Sequence, residues 1–245
     1  NIEQDDKVKA FINTQDLKDT EYVNSHFVVM ATKKGQIKKT CLEKYSRPRI
    51  NGINAITIKE NDELLEAKLT NGNSEILMAV KSGKAIRFEE SKTRPMGRSA
   101  SGVRGIKLKD DNDKVIGMVS VNDISTDILV VSKNGYGKRS SLEDYRITNR
   151  GGKGVKTISI TEKTGSLVSI KNVSDENDLM IINKSGIAIR MSVEKLRVMG
   201  RATQGVKLIN LKGEDTIAAV AKVIKEDETD DNSQENSPEN EDLRI

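Results

Sequence analysis

Tryptophan is absent from this 245-residue chain, aromatic residues make up only 3%, and there is one cysteine, Cys41, and one histidine, His26. Without large rings, any core has to be assembled from Val, Ile, Leu and Met. Hydrophobic residues at 35% suffice for a set of small cores rather than one large one. A single cysteine excludes an internal disulfide framework and fits a reducing, cytoplasmic compartment. One His and one Cys also exclude a Cys/His metal cluster, and His26 reads as a surface or edge residue at a strand start. No apolar run approaches the roughly 20 residues that a membrane span needs, and no secretory leader opens the chain. These gaps predict a chain with no metal, no cofactor of its own and no membrane partner.

Charge is plentiful, and it is unevenly placed. The last twenty residues, 226–245, carry nine acids against one base, Arg244. Residues 1–225 hold the other 40 Lys+Arg against 28 Asp+Glu, a body at +12. A basic body points to a polyanionic partner, which the acidic tail could mimic; a merely solubilising tail is the plainer alternative. The tail has almost nothing to bury and is expected to be disordered.

Internal repetition decides the expected fold. Four segments share one pattern: FVVMATKKGQIKKT from Phe27, ILMAVKSGKAIRF from Ile76, ILVVSKNGYGKRS from Ile128 and LMIINKSGIAIRM from Leu179. Each is an apolar strand, a Lys-x-Gly turn and a second strand, which is a β-hairpin. A Gly-Val pair stands nineteen residues after the last three turn glycines, at Gly102, Gly154 and Gly205, with Gly52-Ile53 as the counterpart in the shorter first repeat. A strand follows each pair, then a further apolar strand opening at Leu64, Val115, Leu167 or Ile217. The ELLEA stretch at Glu63–Ala67 reads as strand, and no amphipathic helix of useful length is visible.

Four strands per roughly 50 residues predict an all-β propeller with about four full blades. The repeats fall near 15–65, 66–116, 117–168 and 169–222, within a domain spanning 1–225. DDKVKAFI at Asp5–Ile12 resembles a fifth copy of the last strand without its hairpin. With Asn at position 1, the chain reads as N-terminally truncated.

Aligned on the turn glycines, the basic residues fall into columns. Lys33, Lys81, Lys133 and Lys184 stand two before, and Lys39, Arg87, Arg139 and Arg190 four after, with Lys138 beside Arg139. Arg94, Arg146 and Arg197 stand eleven after, and Arg98, Arg150 and Arg201 fifteen after. Arg104, Lys156 and Lys207 follow the Gly-Val pairs. Strand alternation turns Ile86, Phe88, Ile189 and Met191 to the core, so the column four after the glycine is expected to face out. Around a propeller, such columns would form a belt matched to duplex DNA, binding through phosphate neutralisation with little sequence readout. Glu43, Glu143 and Glu194 could instead pair with that column as surface salt bridges.

The loop Asn149-Arg150-Gly151-Gly152-Lys153-Gly154 is the densest candidate, since small residues let backbone N–H groups approach a phosphate while Arg150 and Lys153 supply charge. It is no nucleotide-binding P-loop, because Gly154 stands where Ser or Thr must follow the Lys.

With MGRSASGVRGIKL at Met96–Leu108, MGRATQGVKLINL at Met199–Leu211 and NGYGKRSSLEDY at Asn134–Tyr145, residues 5–225 resemble the C-terminal domain family of DNA gyrase A subunits. That resemblance implies a β-pinwheel, a propeller with strands exchanged between blades, around whose basic edge DNA wraps during ATP-driven negative supercoiling. Asn149–Gly154 is similar to the second half of the family's Gln-Arg-Arg-Gly-Gly-Lys-Gly box, with Thr148-Asn149 in place of Gln-Arg. The resemblance further implies a parent type IIA topoisomerase, with catalytic residues, ATP and Mg in other domains or subunits, and a gyrase B partner in an A2B2 assembly. The chain itself shows no catalytic group, and none of its four tyrosines has the setting of a strand-cleaving nucleophile. The sister protein from topoisomerase IV, with a related but degenerate propeller, and a non-enzymatic interaction propeller are the alternatives.

Overall fold

The four Lys-x-Gly turns close hairpins because their glycines, Gly35, Gly83, Gly135 and Gly186, adopt φ of +80° to +88°, a backbone region open to glycine at no steric cost. The computed structural model describes residues 7–225. Repeat 1 supplies strands β1 (Phe27–Thr32), β2 (Gln36–Cys41) and β3 (Leu64–Thr70). Repeat 2 supplies β4 (Glu75–Val80), β5 (Lys84–Glu89), the two-residue β6 (Val103–Arg104) and β7 (Val115–Val121). Repeat 3 supplies β8 (Asp127–Ser132), β9 (Tyr136–Ser141), β10 (Val155–Lys156) and β11 (Leu167–Val173). Repeat 4 supplies β12 (Asn177–Asn183), β13 (Ala188–Ser192), β14 (Val206–Lys207) and β15 (Ile217–Ile224).

The sheets do not follow the repeats. Their strand orders are β3-β1-β2-β6, β7-β4-β5-β10, β11-β8-β9-β14 and β15-β12-β13. Each hairpin pairs on one side with the long strand of its own repeat. On the other side, the first three hairpins pair with a short strand donated by the next repeat. All pairs within these sheets are antiparallel. The fourth sheet has three strands among the described residues, and the outer edge of β13 carries no partner there.

The architecture is therefore an all-β propeller arc of four blades with exchanged strands. β7 packs against both β3 and β11, and β11 also packs against β15. Those long strands line the hub, so β6, β10 and β14, at the opposite sheet edges, stand at the outer rim.

The core is divided as an aromatic-poor composition requires. One cluster, including Ile37, Met78, Phe88 and Ile106, fills the space between the first two blades. A second, around Leu77, Val130, Tyr145 and Ile158, lies between the second and third, and a third, around Val131, Ile181 and Leu196, between the third and fourth. The fourth covers the free face of blade 1, where Val23 of a short helix, α1 (Thr20–Ser25), joins Val28, Met30 and Leu42, with Ile12 and Leu17 packed against them.

One expectation changes here, and one short element is added to those expected. α1 exists because the Asp19 carboxylate caps the N–H groups of Glu21 and Tyr22; six residues are too few for helical periodicity to show. Residues 7–12 are not a strand, and Phe11 is 90% exposed; none of the four sheets takes this segment up as a partner. The rest of that expected strand, Asp5 and Asp6, and the acidic tail 226–245 lie outside the described residues.

Candidate nucleic-acid interface

Each donated strand arrives by a segment that crosses over the preceding blade. Residue pairs Lys39 and Pro95, Arg87 and Ile147, and Arg139 and Val198 form parallel bridges. The N–H groups of Met96, Thr148 and Met199 donate to the carbonyls of Lys39, Arg87 and Arg139 at 2.8–2.9 Å. The chain then turns at Gly102, Gly154 or Gly205 and pairs as β6, β10 or β14.

This crossing buries the column expected to face out. Lys39 is 4% exposed, Arg87 8% and Arg139 8%. Lys39 pairs with Glu90 at 2.8 Å. Arg87 pairs with Glu75 and donates to the carbonyls of Leu142 at 2.8 Å and Tyr145 at 3.0 Å in the next repeat. Arg139 is paired to Asp175 and Asp127. Among the described residues no following repeat covers blade 4, so Arg190 keeps a 45% exposed side chain, paired to Asp178. The column is interblade mortar in three blades and reaches solvent only in the fourth. Its acidic partners are not Glu43, Glu143 and Glu194: Glu43 pairs with Lys44 and Glu194 with Lys225.

Lys138 is likewise enclosed. Its ammonium donates to the carbonyl of Gly200 at 2.5 Å and to Thr203 Oγ1 at 3.1 Å on the crossing segment. Lys38 does the same in blade 1, to the carbonyls of Ala55 at 2.7 Å and Arg98. Burial brings both lysines down to about 8; Arg98 adds to the effect at Lys38, while at Lys138 Asp144 opposes it and Arg201 adds to it. These charges hold the crossing segments down and are not presented to a ligand at the rim.

The columns carried by the crossing segments are placed differently. Arg94, Arg146 and Arg197 are exposed, as are Arg104, Lys156 and Lys207 on the rim strands. None of these six forms an ion pair among the described residues. Arg150 and Arg201 are half-buried clamps: Arg150 donates to the carbonyls of Lys92 and Arg104, each at 3.0 Å, and Arg201 to those of Asp144 at 3.0 Å and Lys156 at 2.8 Å. Arg98, also half-buried, lines a cavity beside Arg49. At the hairpin turns Lys81, Lys133 and Lys184 are exposed, while Lys33 pairs at 2.7 Å with Glu63. Lys33 and Lys9 hold the Glu63 carboxyl at about 2.

The glycine-rich loop is partly consumed by folding. The Gly151 N–H donates to the Gly105 carbonyl at 2.6 Å, and the Gly152 carbonyl accepts from the Lys107 N–H at 2.8 Å. Gly152 and Lys153 remain exposed. Gly154 has φ +69°, and a Cβ there would stand 2.4 Å from the Ala85 carbonyl oxygen, so the strand-exchange joint itself requires glycine. Aligning the repeats did not single out Lys84, Lys107 or Lys109, which gather near Lys153: Lys84 and Lys107 belong to no repeating column, and Lys109 recurs as Lys59 and Lys212 but not in repeat 3, where Thr161 stands.

Fold and rim together define a class: a strand-exchanged β-propeller carrying paired columns of unneutralised cations along its outer edge. The family model described as "DNA gyrase C-terminal domain, beta-propeller" matches residues 26–71, 74–122, 126–174 and 177–224. The chain belongs to that family. It is 43% identical over 242 residues to the DNA gyrase A protein of Staphylococcus aureus strain MRSA252, covering 98% of this chain and 27% of that protein. The match to the same protein of S. aureus strain NCTC 8325 is also 43% identical and spans 27% of its length. Among solved structures, a DNA gyrase A C-terminal domain aligns with a TM-score of 0.79 at 24% identity, over 91% of this chain and 73% of that one. The C-terminal domain of DNA topoisomerase IV aligns with a TM-score of 0.77 at 21% identity, over 82% and 62%. These two likenesses concern the fold.

Proposed function

We propose that the chain binds duplex DNA without sequence preference and wraps it along the propeller rim, as the DNA-wrapping part of a gyrase-type topoisomerase. The observation that supports this most is the repetition of two exposed, unpaired cations per crossing, Arg94 with Arg104, Arg146 with Lys156 and Arg197 with Lys207, in one register. A bent polyanion needs cations that recur along a curve, and the affinity then comes from counterion release. The 43% identical relatives named as gyrase favour a gyrase parent over topoisomerase IV. In that parent the chain is a binding device of a cytoplasmic, chromosome-associated enzyme. Strand cleavage, ATP, Mg and the gyrase B partner in an A2B2 assembly belong to other domains and chains. No helix among the described residues is long and apolar enough to cross a membrane.

The test is duplex binding against salt. Contact with about six to ten phosphates gives a log–log slope of about −5 to −9. Arg94→Glu/Arg146→Glu/Arg197→Glu is expected to flatten that slope by about 3 and to weaken all sequences alike. A slope unchanged in this variant would remove the rim from the interface.

A further inference from the structure

A cavity of about 250 Å³ opens at the end of blade 2, between its hairpin turn, the 107–113 turn and the glycine-rich loop. Lys84, Lys107, Lys109 and Lys153 line it together with Asp113. Among the described residues Lys84, Lys107 and Lys153 have no carboxylate partner, and Lys109 has only Asp110 at 4.0 Å. Asp113 is already engaged: its carboxylate accepts from the Ser82 N–H at 2.9 Å and hydroxyl at 2.7 Å, and from the N–H groups of Lys109 at 3.2 Å and Lys114 at 3.1 Å. It braces the turn and offsets one charge of four.

The cluster does not repeat. The positions equivalent to Lys84, Lys107, Lys109 and Lys153 are Gln36, Thr57, Lys59 and Ser101 at blade 1, and Tyr136, Ser159, Thr161 and Gln204 at blade 3. At these positions blade 1 has one cation and blade 3 none, and the cavity at blade 1 sets Glu60, Asp62, Asp111 and Asp113 against Lys34, Lys59, Arg104 and Lys107, so the excess of cations at blade 2 is not a by-product of repeat architecture. Strand exchange between the second and third repeats brings it together: the Lys107 N–H is tied to Gly152, and β10 pairs Lys156 with Lys84 beside the rim.

We propose that this cavity is a dedicated seat for phosphate groups, distinct from the repeating rim columns. Like charges converging on one concave site repel one another until an anion fills it, and a cleft of one sign focuses the field on that anion. Lysine ammonium groups act as point charges that suit phosphate oxygens without fixed geometry. Neighbouring backbone phosphates of a duplex on the rim and a free polyphosphate share this chemistry. The first source rests on the DNA reading above, and the second does not.

Lysine acylation of the chain, read by mass spectrometry, is compared with and without duplex DNA and with and without inorganic tripolyphosphate. The expected result is that both slow the reaction at Lys84, Lys107 and Lys153 relative to exposed Lys195. Lys84→Gln/Lys107→Gln/Lys153→Gln is expected to lower tripolyphosphate affinity at least tenfold, and the corresponding triple Arg variant to retain it, which separates lost charge from lost folding. Protection by tripolyphosphate alone supports the seat with a free polyphosphate as source; protection by duplex alone supports it with DNA as source. If all three lysines stay as reactive as Lys195 in both arms while DNA protects Lys156 and Lys207, the seat is overturned and the rim reading stands. Protection by tripolyphosphate with Lys156 and Lys207 untouched by DNA keeps the seat and overturns the rim.

Discussion

Arg87 and Arg94 are seven residues apart in one repeat and do opposite things. Arg87 lies under the next repeat's crossing segment, with Glu75 on one side and two carbonyls of that repeat on the other. Truncating it strands a nearly buried carboxylate and two acceptors, so Arg87→Ala is expected to cost about 3–5 kcal/mol of stability. Arg94→Ala, at an exposed position without an ion-pair partner, is expected to stay within about 0.5 kcal/mol. Urea denaturation of the two variants measures the difference; comparable losses would mean that the column is not interblade mortar.

The buried lysines add a pH signature. Lys38 and Lys138 release their protons near 8 in the folded chain and near the ordinary lysine value of about 10.4 when unfolded. Between those values the unfolded chain holds more protons, so stability rises with pH across that window. Burial pushes the Tyr145 hydroxyl up to about 12, with the Thr157 hydrogen bond opposing it and Asp144 adding to it, so the trend reverses above about 10, where an unfolded tyrosine ionises and the folded one does not. From pH 7.5 to pH 9.5 the denaturation midpoint is expected to increase in the parent chain and to increase less in Lys38→Met/Lys138→Met, where Lys222, also lowered by burial, still contributes. An equal rise in the double variant would locate the effect elsewhere.

At the scale of elements, hairpins and long strands were legible because they depend on neighbours in sequence: apolar runs, a Lys-x-Gly turn and a fixed spacing. The burial of Arg87 was not, because alternation along a strand tells which residues share a face and not what covers that face. Here the cover is a segment from some sixty residues on: Thr148 bonds to Arg87 and Met199 to Arg139. The Gly-Val pairs were visible in sequence, yet their role as two-residue strands given to the preceding blade emerges only from the pairing of Val155 with Ala85 and of Val206 with Gly137. That joint is testable at Gly154. An alanine there costs about 1–2 kcal/mol for the left-handed backbone alone, and its Cβ would also overlap the Ala85 carbonyl oxygen, 2.4 Å away. Gly154→Ala is therefore expected to lower the denaturation midpoint and to speed amide exchange at Val155 and Lys156. Gly200→Ala, with open space around it and no positive φ, is expected to do neither.

For the whole molecule, the consequence of strand exchange is a stiff curved edge. Each blade is tied to the next by a donated strand, a buried charge on the second hairpin strand, and a shared core cluster. The rim cations are thus held at fixed intervals along an arc. A duplex that follows the arc has to bend, at a cost of about 1–6 kcal/mol for 40–90° over 20–30 base pairs. Contacts at one crossing can be made by straight DNA, whereas contacts at three successive crossings require the bend. Each added salt increment weakens every phosphate contact, while the elastic cost hardly changes, so wrapping is expected to fail at a lower salt concentration than binding does. Ligating nicked plasmid in the presence of the chain reads wrapping as a trapped change in linking number, and anisotropy on a short duplex reads binding. The linking-number change is expected to vanish first on a salt titration, and to be absent at all salt concentrations in Arg94→Glu/Arg146→Glu/Arg197→Glu. If the two signals were instead lost together, point by point, the duplex would be binding without bending, and the arc would be a platform for DNA and not a spool.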